Sequence, residues 1–202
     1  MTKIKLCGLT RPEEIQVANA LRPDYIGFVF APKSRRYLPP QQAAALRALL
    51  RPEIQAVGVF VGEDPRVVAR LLEAGIIDLA QLHGGEDAAY IQRLRGMTPK
   101  PLFQAFLIRT GGDIQAANHS PADGVLVDAG LGEGQAFDWK LLEGMERPYF
   151  LAGGLDPGNV ARAVRQLHPY GVDVSSGIET AGRKDQKKMA AFVAAVRKED
   201  GR

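Results

Sequence analysis

The sequence predicts one α/β domain over residues 1–202, folded as a (β/α)8 TIM barrel with a closed, parallel eight-stranded sheet inside a ring of helices. Short apolar segments alternate with helical segments eight times in 202 residues, and about 25 residues per unit is the low end for such a barrel. Hydrophobic residues make up 46% of the chain, which is enough for a large core. The first turn, CGLTRP, lacks the GxGxxG pattern that is typical of an open doubly wound sheet.

The predicted strands are short and apolar, as expected for strands that are buried on both faces. In chain order they are KIKLCG (3–8), YIGFVF (25–30), QAVGVFV (55–61), LAQLHG (79–84), LFQAFLI (102–108), GVLVDA (124–129), YFLAGG (149–154) and GVDVSSG (171–177).

Helical segments lie between these strands and after the last one. The first opens with proline and two acids, which favour a helix start, and the longer segments place apolar residues at i, i+3 and i+4. In chain order they are PEEIQVANAL (12–21), PPQQAAALRALL (39–50), DPRVVARLLEA (64–74), EDAAYIQRLRG (86–96), GGDIQAAN (111–118), DWKLLEG (138–144), DPGNVARAVRQLH (156–168) and KDQKKMAAFVAAVRK (184–198).

Composition argues against several classes of protein. The single cysteine, Cys7, excludes an intramolecular disulfide. No segment approaches the roughly 18 apolar residues needed to cross a bilayer, so we expect a cytoplasmic protein with no membrane partner. The net charge is +3, and the basic runs KSRR and RKDQKK have no interleaved aromatic residues, so no nucleic-acid partner is expected. A mildly basic chain does suit an anionic small molecule, and no residue cluster has metal-ligand spacing.

Polar residues stand at the carboxyl ends of the predicted strands, where barrels of this kind hold their active sites. Cys7 ends the first strand, His83 the fourth and Asp128 the sixth. Because side chains alternate along a strand, Ile4 and Leu6 should face the helices and Cys7 the barrel interior. The same count places Asp128 inward, so the thiol and the carboxyl should meet across the mouth of the barrel.

Two glycine-containing turns predict a phosphate site. LAGGLDPGNV places Gly153 and Gly154 between a strand and a helix start, and VSSGIE provides Ser175, Ser176 and Gly177 after the last strand. Exposed backbone N–H groups and a helix N-terminus attract anions, and the loops after strands seven and eight are the usual phosphate site of such barrels.

With these residues in view, the chain resembles the phosphoribosylanthranilate isomerases of tryptophan biosynthesis along its full length. The resemblance rests on KLCGLT, GFVFAPKSRRYL, VGVFV, QLHG, LVDA, FDW, LAGGLDPGNV and DVSSGIE. It implies a (β/α)8 barrel that needs no metal or organic cofactor. It also implies an intramolecular aldose–ketose isomerisation, the Amadori rearrangement of N-(5-phosphoribosyl)anthranilate to 1-(2-carboxyphenylamino)-1-deoxyribulose 5-phosphate.

The resemblance also assigns roles to residues. It implies that Cys7 is the general base, that Asp128 is the general acid, that Arg36 holds the anthranilate carboxylate and that Asp173 lies near the polar groups of the substrate. A thiol acts as a base only as thiolate, and Lys5 and Arg36 are expected to lower the pKa of Cys7. The segment LGEGQA before FDW departs from the GGTGK-like loop common in the family, and residue 129 is alanine where threonine is common.

Several alternatives remain at this stage. His83 either contacts substrate or caps a turn, and Asp173 could instead be a core residue bonded to Lys5. A related phosphosugar isomerase with dual specificity for a histidine-pathway substrate, or a non-catalytic phosphosugar-binding barrel, would share much of this pattern. The chain is expected to act as a monomer or a homodimer on a small phosphorylated substrate.

Overall fold

The computed structural model describes residues 1–128 and 139–201 and confirms the predicted (β/α)8 barrel. Eight parallel strands close in chain order, and β8 pairs back with β1. The strands are β1 (Lys3–Cys7), β2 (Tyr25–Val29), β3 (Gln55–Phe60), β4 (Leu79–Leu82), β5 (Leu102–Leu107), β6 (Gly124–Asp128), β7 (Tyr149–Ala152) and β8 (Gly171–Val174).

Helices connect the strands and follow the last one, as predicted. Among the described residues they are α1 (Pro12–Leu21), α2 (Pro40–Leu49), α3 (Pro65–Glu73), α4 (Ala88–Arg95), α5 (Gly111–Asn118), α6 (Val160–Leu167) and α7 (Gln186–Asp200). Proline opens the first three. Asp64, Asp87 and Asp185 cap α3, α4 and α7, since each carboxylate accepts backbone N–H groups that have no partner within the helix.

Two helical segments differ from the prediction in helix type or by more than two residues at one end. Residues Trp139–Gly144 form a 3₁₀ helix, in keeping with a segment too short to sustain regular α-helix; its predicted first residue, 138, lies outside the described residues. Helix α6 begins at Val160 and not at residue 156. The Asp156 carboxylate accepts hydrogen bonds from the N–H groups of Gly158 and Asn159 at 2.7 and 3.0 Å, which holds this stretch in a turn.

A two-stranded hairpin follows β8, and no strand pattern in the sequence predicts it. Its strands, β9 (Glu179–Thr180) and β10 (Arg183–Lys184), are antiparallel. The turn residues Ala181 and Gly182 have φ of 49° and 77°, and two left-handed residues in succession are typical of a tight hairpin turn. The register places Lys184 directly opposite Glu179.

The two faces of the barrel strands are used as the alternation predicts. Ile4 and Leu6 of β1 pack outward into the main core shared with the helices. Leu126 and Phe150 pack together inside the barrel, and the rings of Phe103 and Phe150 lie 5.4 Å apart near the amino ends of the strands. Aromatic side chains therefore fill the amino end of the barrel.

This packing predicts a stability effect at Gly171. A Cβ there would lie 2.4 Å from the Phe150 ring and 3.0 Å from Lys3 Cβ. We expect Gly171→Ala to lower the free energy of unfolding by about 1–3 kcal/mol in urea titrations. Gly111→Ala is the matched control, because a Cβ at residue 111 meets nothing within 4 Å. Equal stability of the two variants would contradict the tight packing of the amino end.

Candidate active site

A cavity of about 460 Å³ opens at the carboxyl ends of the strands, where barrels of this kind bind their substrates. Nine of the ten predicted site residues line it, namely Cys7, Arg36, His83, Asp128, Gly153, Gly154, Asp173, Ser175 and Ser176. Gly177 follows Ser176 and does not line the cavity; a Cβ at this residue would lie 1.9 Å from the Leu155 carbonyl oxygen. The structure thus brings almost all of the predicted residues to one place.

Cys7 is the last residue of β1 and is largely buried on the wall of the cavity. Space for its sulfur comes from the neighbouring strand, since a Cβ at Gly27 would lie 2.6 Å from Cys7 Sγ. Gly27 was not among the residues predicted for the site. The sequence did offer a signal, because a glycine inside an apolar strand often marks a place where a ligand or another part of the chain comes close to the backbone.

Burial raises the pKa of the Cys7 thiol, although the charges of Lys5 and Lys184 act in the opposite direction. Lys5 does act to lower this pKa, as expected, but the net shift is upward. The physical reason is that a buried thiolate loses its hydration, and this loss outweighs the nearby positive charge. A thiol whose pKa is raised in this way gives, once ionised, a correspondingly stronger base.

Asp128 ends β6 and stands on another side of the same cavity. Its side chain is 26% exposed, and its Oδ2 lies 3.9 Å from His83 Nε2. The backbone N–H of His83 donates to the Phe60 carbonyl at 2.8 Å, which fixes the chain at the end of β4. His83 therefore faces the cavity beside the carboxyl group.

Arg36 is held by an acidic residue that the sequence analysis did not select. Its Nε and Nη2 donate to the two carboxylate oxygens of Glu179 at 2.6 and 3.0 Å. Gly8 leaves room for the Arg36 side chain, because a Cβ at residue 8 would lie 2.4 Å from Arg36 Cδ. The neighbouring Arg35 is 60% exposed along its side chain, but its Nη2 also donates to Glu179, at 2.7 Å.

Lys184 completes this arrangement from the hairpin. Its side chain is only 2% exposed, and Nζ donates to Glu179 Oε1 at 2.7 Å and to the Ser175 carbonyl at 2.9 Å. The Ser175 hydroxyl in turn donates to the Cys7 carbonyl at 3.2 Å. One buried lysine therefore links the Arg36 anchor, the loop after β8 and the end of β1. Its only sequence signal was the Ala-Gly turn two residues earlier.

The two predicted phosphate loops pack against each other. Gly153 and Gly154 have φ of 86° and 64°, a conformation that L side chains rarely adopt and that turns successive N–H groups toward a common side. Asn159 Nδ2 donates to the Gly154 carbonyl at 2.8 Å. The close approach of Gly177 to Leu155 then joins this loop to the loop after β8.

A buried ion pair lies below the cavity. Lys5 Nζ donates to Asp173 Oδ2 at 3.0 Å, and the Lys5 side chain is 1% exposed. Burial alone would lower the pKa of Lys5, but Asp173 and Cys7 together raise it, so Lys5 stays charged. Asp173 Oδ1 and Gln81 Oε1 are both buried and have no hydrogen-bond partner among residues 1–128 and 139–201.

The other two histidines and the single tryptophan take structural roles. His119 caps the end of α5, and its Nδ1 lies 2.8 Å from the Gln115 carbonyl. His168 ends α6 in the left-handed conformation. Trp139 packs partly buried against the core, and the Arg162 guanidinium lies 4.9 Å from its ring centroid. The unusual segment 129–136 lies outside the described residues.

Two features are absent from the described residues. Residues 1–128 and 139–201 contain no group of three or more His, Cys, Asp or Glu side chains placed to hold a metal ion. Over the same residues, no helix combines the length and hydropathy required to span a lipid bilayer.

The Glu179 ion pairs predict acid-dependent stability. Burial would raise the pKa of Glu179, but hydrogen bonds from Arg36 and Lys184 outweigh it and lower the pKa to about 2. A depressed carboxyl pKa contributes stability above the unfolded value near 4.5, and this is lost as the pH falls toward about 2. We expect Glu179→Gln to lower the free energy of unfolding at pH 7 by about 2 kcal/mol and to flatten its fall in acid.

Urea titrations at pH 7 and pH 3 measure this effect. Glu13→Gln is the control, because the Glu13 side chain is 57% exposed and lies 3.8 Å from its partner Arg11; such a pair contributes little. A Glu179→Gln protein whose stability falls as steeply in acid as that of the native chain would show that these ion pairs do not stabilise the fold.

Comparison with known proteins agrees with this geometry. The family model described as N-(5'-phosphoribosyl)anthranilate (PRA) isomerase matches residues 4–195. An N-(5'-phosphoribosyl)anthranilate isomerase from Endomicrobium trichonymphae is 45% identical over 202 residues, covering 98% of this chain and 99% of the relative.

Solved structures give the same result. The phosphoribosyl anthranilate isomerase from Thermotoga maritima superposes with a TM-score of 0.89 at 31% identity, covering 98% of this chain and 100% of that one. A phosphoribosyl anthranilate isomerase in complex with reduced 1-(o-carboxyphenylamino)-1-deoxyribulose 5-phosphate has a TM-score of 0.86 at 31% identity. This superposition covers 98% of this chain and 100% of that one. With a family match across nearly the whole chain, this protein belongs to the N-(5'-phosphoribosyl)anthranilate isomerase family.

Proposed function

We propose that this chain isomerises N-(5-phosphoribosyl)anthranilate to 1-(2-carboxyphenylamino)-1-deoxyribulose 5-phosphate in tryptophan biosynthesis, with Cys7 as general base and Asp128 as general acid. The observation that carries the proposal is that the thiol and the carboxyl line one cavity from β1 and β6, in a chain of this family. A similar structure holds a reduced product analogue, which supports the same substrate here.

The reaction requires one acid and one base. Asp128 donates a proton to the furanose ring oxygen, the C1–O bond breaks, and the substrate opens to a Schiff base. Cys7, as thiolate, removes the proton from C2, and the electron pair moves to form an enolamine. Tautomerisation of the enolamine gives the ketone, so no atoms are gained or lost. Acid–base catalysis by placed side chains typically contributes about 10²–10⁴-fold in rate.

Binding at both ends of the substrate supplies much of the remaining rate enhancement, because it holds C2 and the ring oxygen near the two catalytic groups. The phosphate is proposed to bind at Gly153 and Gly154 and at the Ser175–Gly177 loop, where the two turns meet. Arg36 is proposed to bind the anthranilate carboxylate. Glu179 uses Nε and Nη2 of Arg36, which leaves Nη1 free of Glu179 to face a second carboxylate.

The charge around the Arg36 anchor suits an anionic substrate. Arg35, Arg36 and Lys184 share the single carboxylate of Glu179, so this cluster keeps an excess of positive charge. His83, beside Asp128, is proposed to contact the substrate near the ring oxygen. Asp173 is proposed to accept a substrate hydroxyl through Oδ1, the oxygen that Lys5 does not use.

Four wider assignments concern the oligomeric state, the cellular location, the cofactor requirement and the alternative functions. Every residue proposed here comes from one chain and one domain over residues 1–202, so a monomer and a homodimer both fit. The cytoplasmic location remains a prediction, as does activity without metal or organic cofactor. The family match and the relatives favour neither dual specificity for a histidine-pathway substrate nor a non-catalytic binding barrel.

Removing either proton-transfer group tests the proposal. We expect Cys7→Ala and Asp128→Asn each to lower kcat by about 10²–10⁴-fold, measured as the loss of anthranilate fluorescence with phosphoribosylanthranilate generated in situ. Both variants should still bind the reduced product analogue. Asp24→Asn is the control, because Asp24 pairs with Lys3 and Arg197 at the opposite end of the barrel. Full activity of Cys7→Ala would refute the assigned base.

The raised pKa of Cys7 predicts how activity depends on pH. Because burial raises the thiol pKa above its ordinary value of 9.0, the thiolate fraction grows as the pH rises beyond 9, and kcat/KM should rise with it on the alkaline side. In Cys7→Ser the residual activity should lack this rise, since a serine hydroxyl does not ionise there. A kcat/KM profile that is flat from pH 7 to 10 in the native enzyme would contradict thiolate catalysis.

A further inference from the structure

The floor of the cavity holds a polar group that neither the fold nor the proposed acid–base pair uses. Gln81 lies on β4, and its residue is 1% exposed although it lines the cavity. No donor among the described residues reaches its side-chain oxygen, Oε1. A buried acceptor without a donor is costly to a protein, so such a group in a residue that lines the cavity points to a ligand that brings the donor.

A second buried glutamine, by contrast, has a structural role in this barrel. Gln104, on the adjacent strand β5, is also buried, at 8% exposure. Its Nε2 donates to the Glu86 carbonyl at 2.6 Å, and its Oε1 accepts the Ser120 hydroxyl. Both ends of the Gln104 amide are thus bonded within the protein, whereas the oxygen of Gln81 accepts no hydrogen bond from the described residues, although Gln81 lines the cavity.

The position of Gln81 indicates which part of the substrate it would contact. Strand β4 stands opposite β8 in the closed eight-stranded barrel, so Gln81 and Asp173 face each other across the cavity floor. The phosphate loops and Arg36 lie on the rim and bind the two ends of the substrate under the proposed function. The floor is left for the sugar carbons between these ends, and their hydroxyl groups are hydrogen-bond donors.

We propose that Gln81 is a specificity-determining residue whose Oε1 accepts the C3 hydroxyl of the ribose-derived chain. This inference rests on the proposed function. Chemistry favours C3, because the C2 hydroxyl becomes the ketone and the C4 oxygen begins as the ring oxygen. The C3 hydroxyl alone keeps its proton from substrate to product. A contact that is unchanged along the reaction lowers KM and leaves kcat nearly unaffected.

Gln81→Met and Gln104→Met, which replace an amide by an apolar chain of similar length, test the proposal as a matched pair. We expect Gln81→Met to raise KM about 10-fold or more, to change kcat less than about 3-fold, and to keep or raise the melting temperature. Gln104→Met should keep KM and lose several degrees of melting temperature, because it leaves the Glu86 carbonyl and the Ser120 hydroxyl without their partner. An unchanged KM for Gln81→Met, or a loss of stability like that of Gln104→Met, would overturn the inference.

A ligand-side measurement on the native enzyme does not depend on the folding of any variant. The reduced product analogue and its 3-deoxy counterpart are titrated against the native chain, and we expect the 3-deoxy compound to bind about 10-fold more weakly. Against Gln81→Met the two compounds should bind within about 2-fold of each other. Equal binding of both compounds to the native chain would overturn the role of Gln81. Failure of the proposed function is separate, because it would appear as absent turnover by the native enzyme.

Discussion

The ion pair between Lys5 and Asp173 joins the first strand of the barrel to the last. The two residues are direct partners in the β1–β8 register, and their charged atoms lie 3.0 Å apart inside the barrel. Burying two charges is expensive, and removing one partner of such a pair typically destabilises a protein by about 3–5 kcal/mol. The pair therefore constrains where β8 meets β1, and with it the positions of Cys7 and of the loop after β8.

A second layer of polar contacts turns that closed barrel into a binding site. Glu179 and Lys184 face each other across the hairpin, and both side chains are almost fully buried. Glu179 orients Arg36, while Lys184 holds the backbone of Ser175. The anchors proposed for the two ends of the substrate thus share one hydrogen-bonded network, so their separation is set by the protein before substrate arrives.

Much of the fold and part of the site could be predicted from the sequence. Strand–helix alternation and unit length indicated the closed barrel, and alternation within β1 and β6 correctly placed Cys7 and Asp128 at one cavity. Other features depend on long-range contacts that local patterns do not encode. Glu179 lies 143 residues from Arg36, and the hairpin that presents it has only two residues per strand. The direction of the Cys7 pKa shift depends on a balance between burial and charge, which requires coordinates.

The late position of the hairpin has a consequence for synthesis of the protein. While the ribosome is still making the chain, β1 through β6 and the residues Cys7, Arg36 and Asp128 emerge first. Until Asp173 follows, Lys5 lacks its counter-ion and the edge of β1 that pairs with β8 has no neighbouring strand. Until Glu179 follows, the guanidinium of Arg36 lacks its carboxylate partner. An unpaired strand edge invites wrong pairing. A nascent chain of this protein is therefore most exposed to misassembly until β8 and the hairpin have been synthesised.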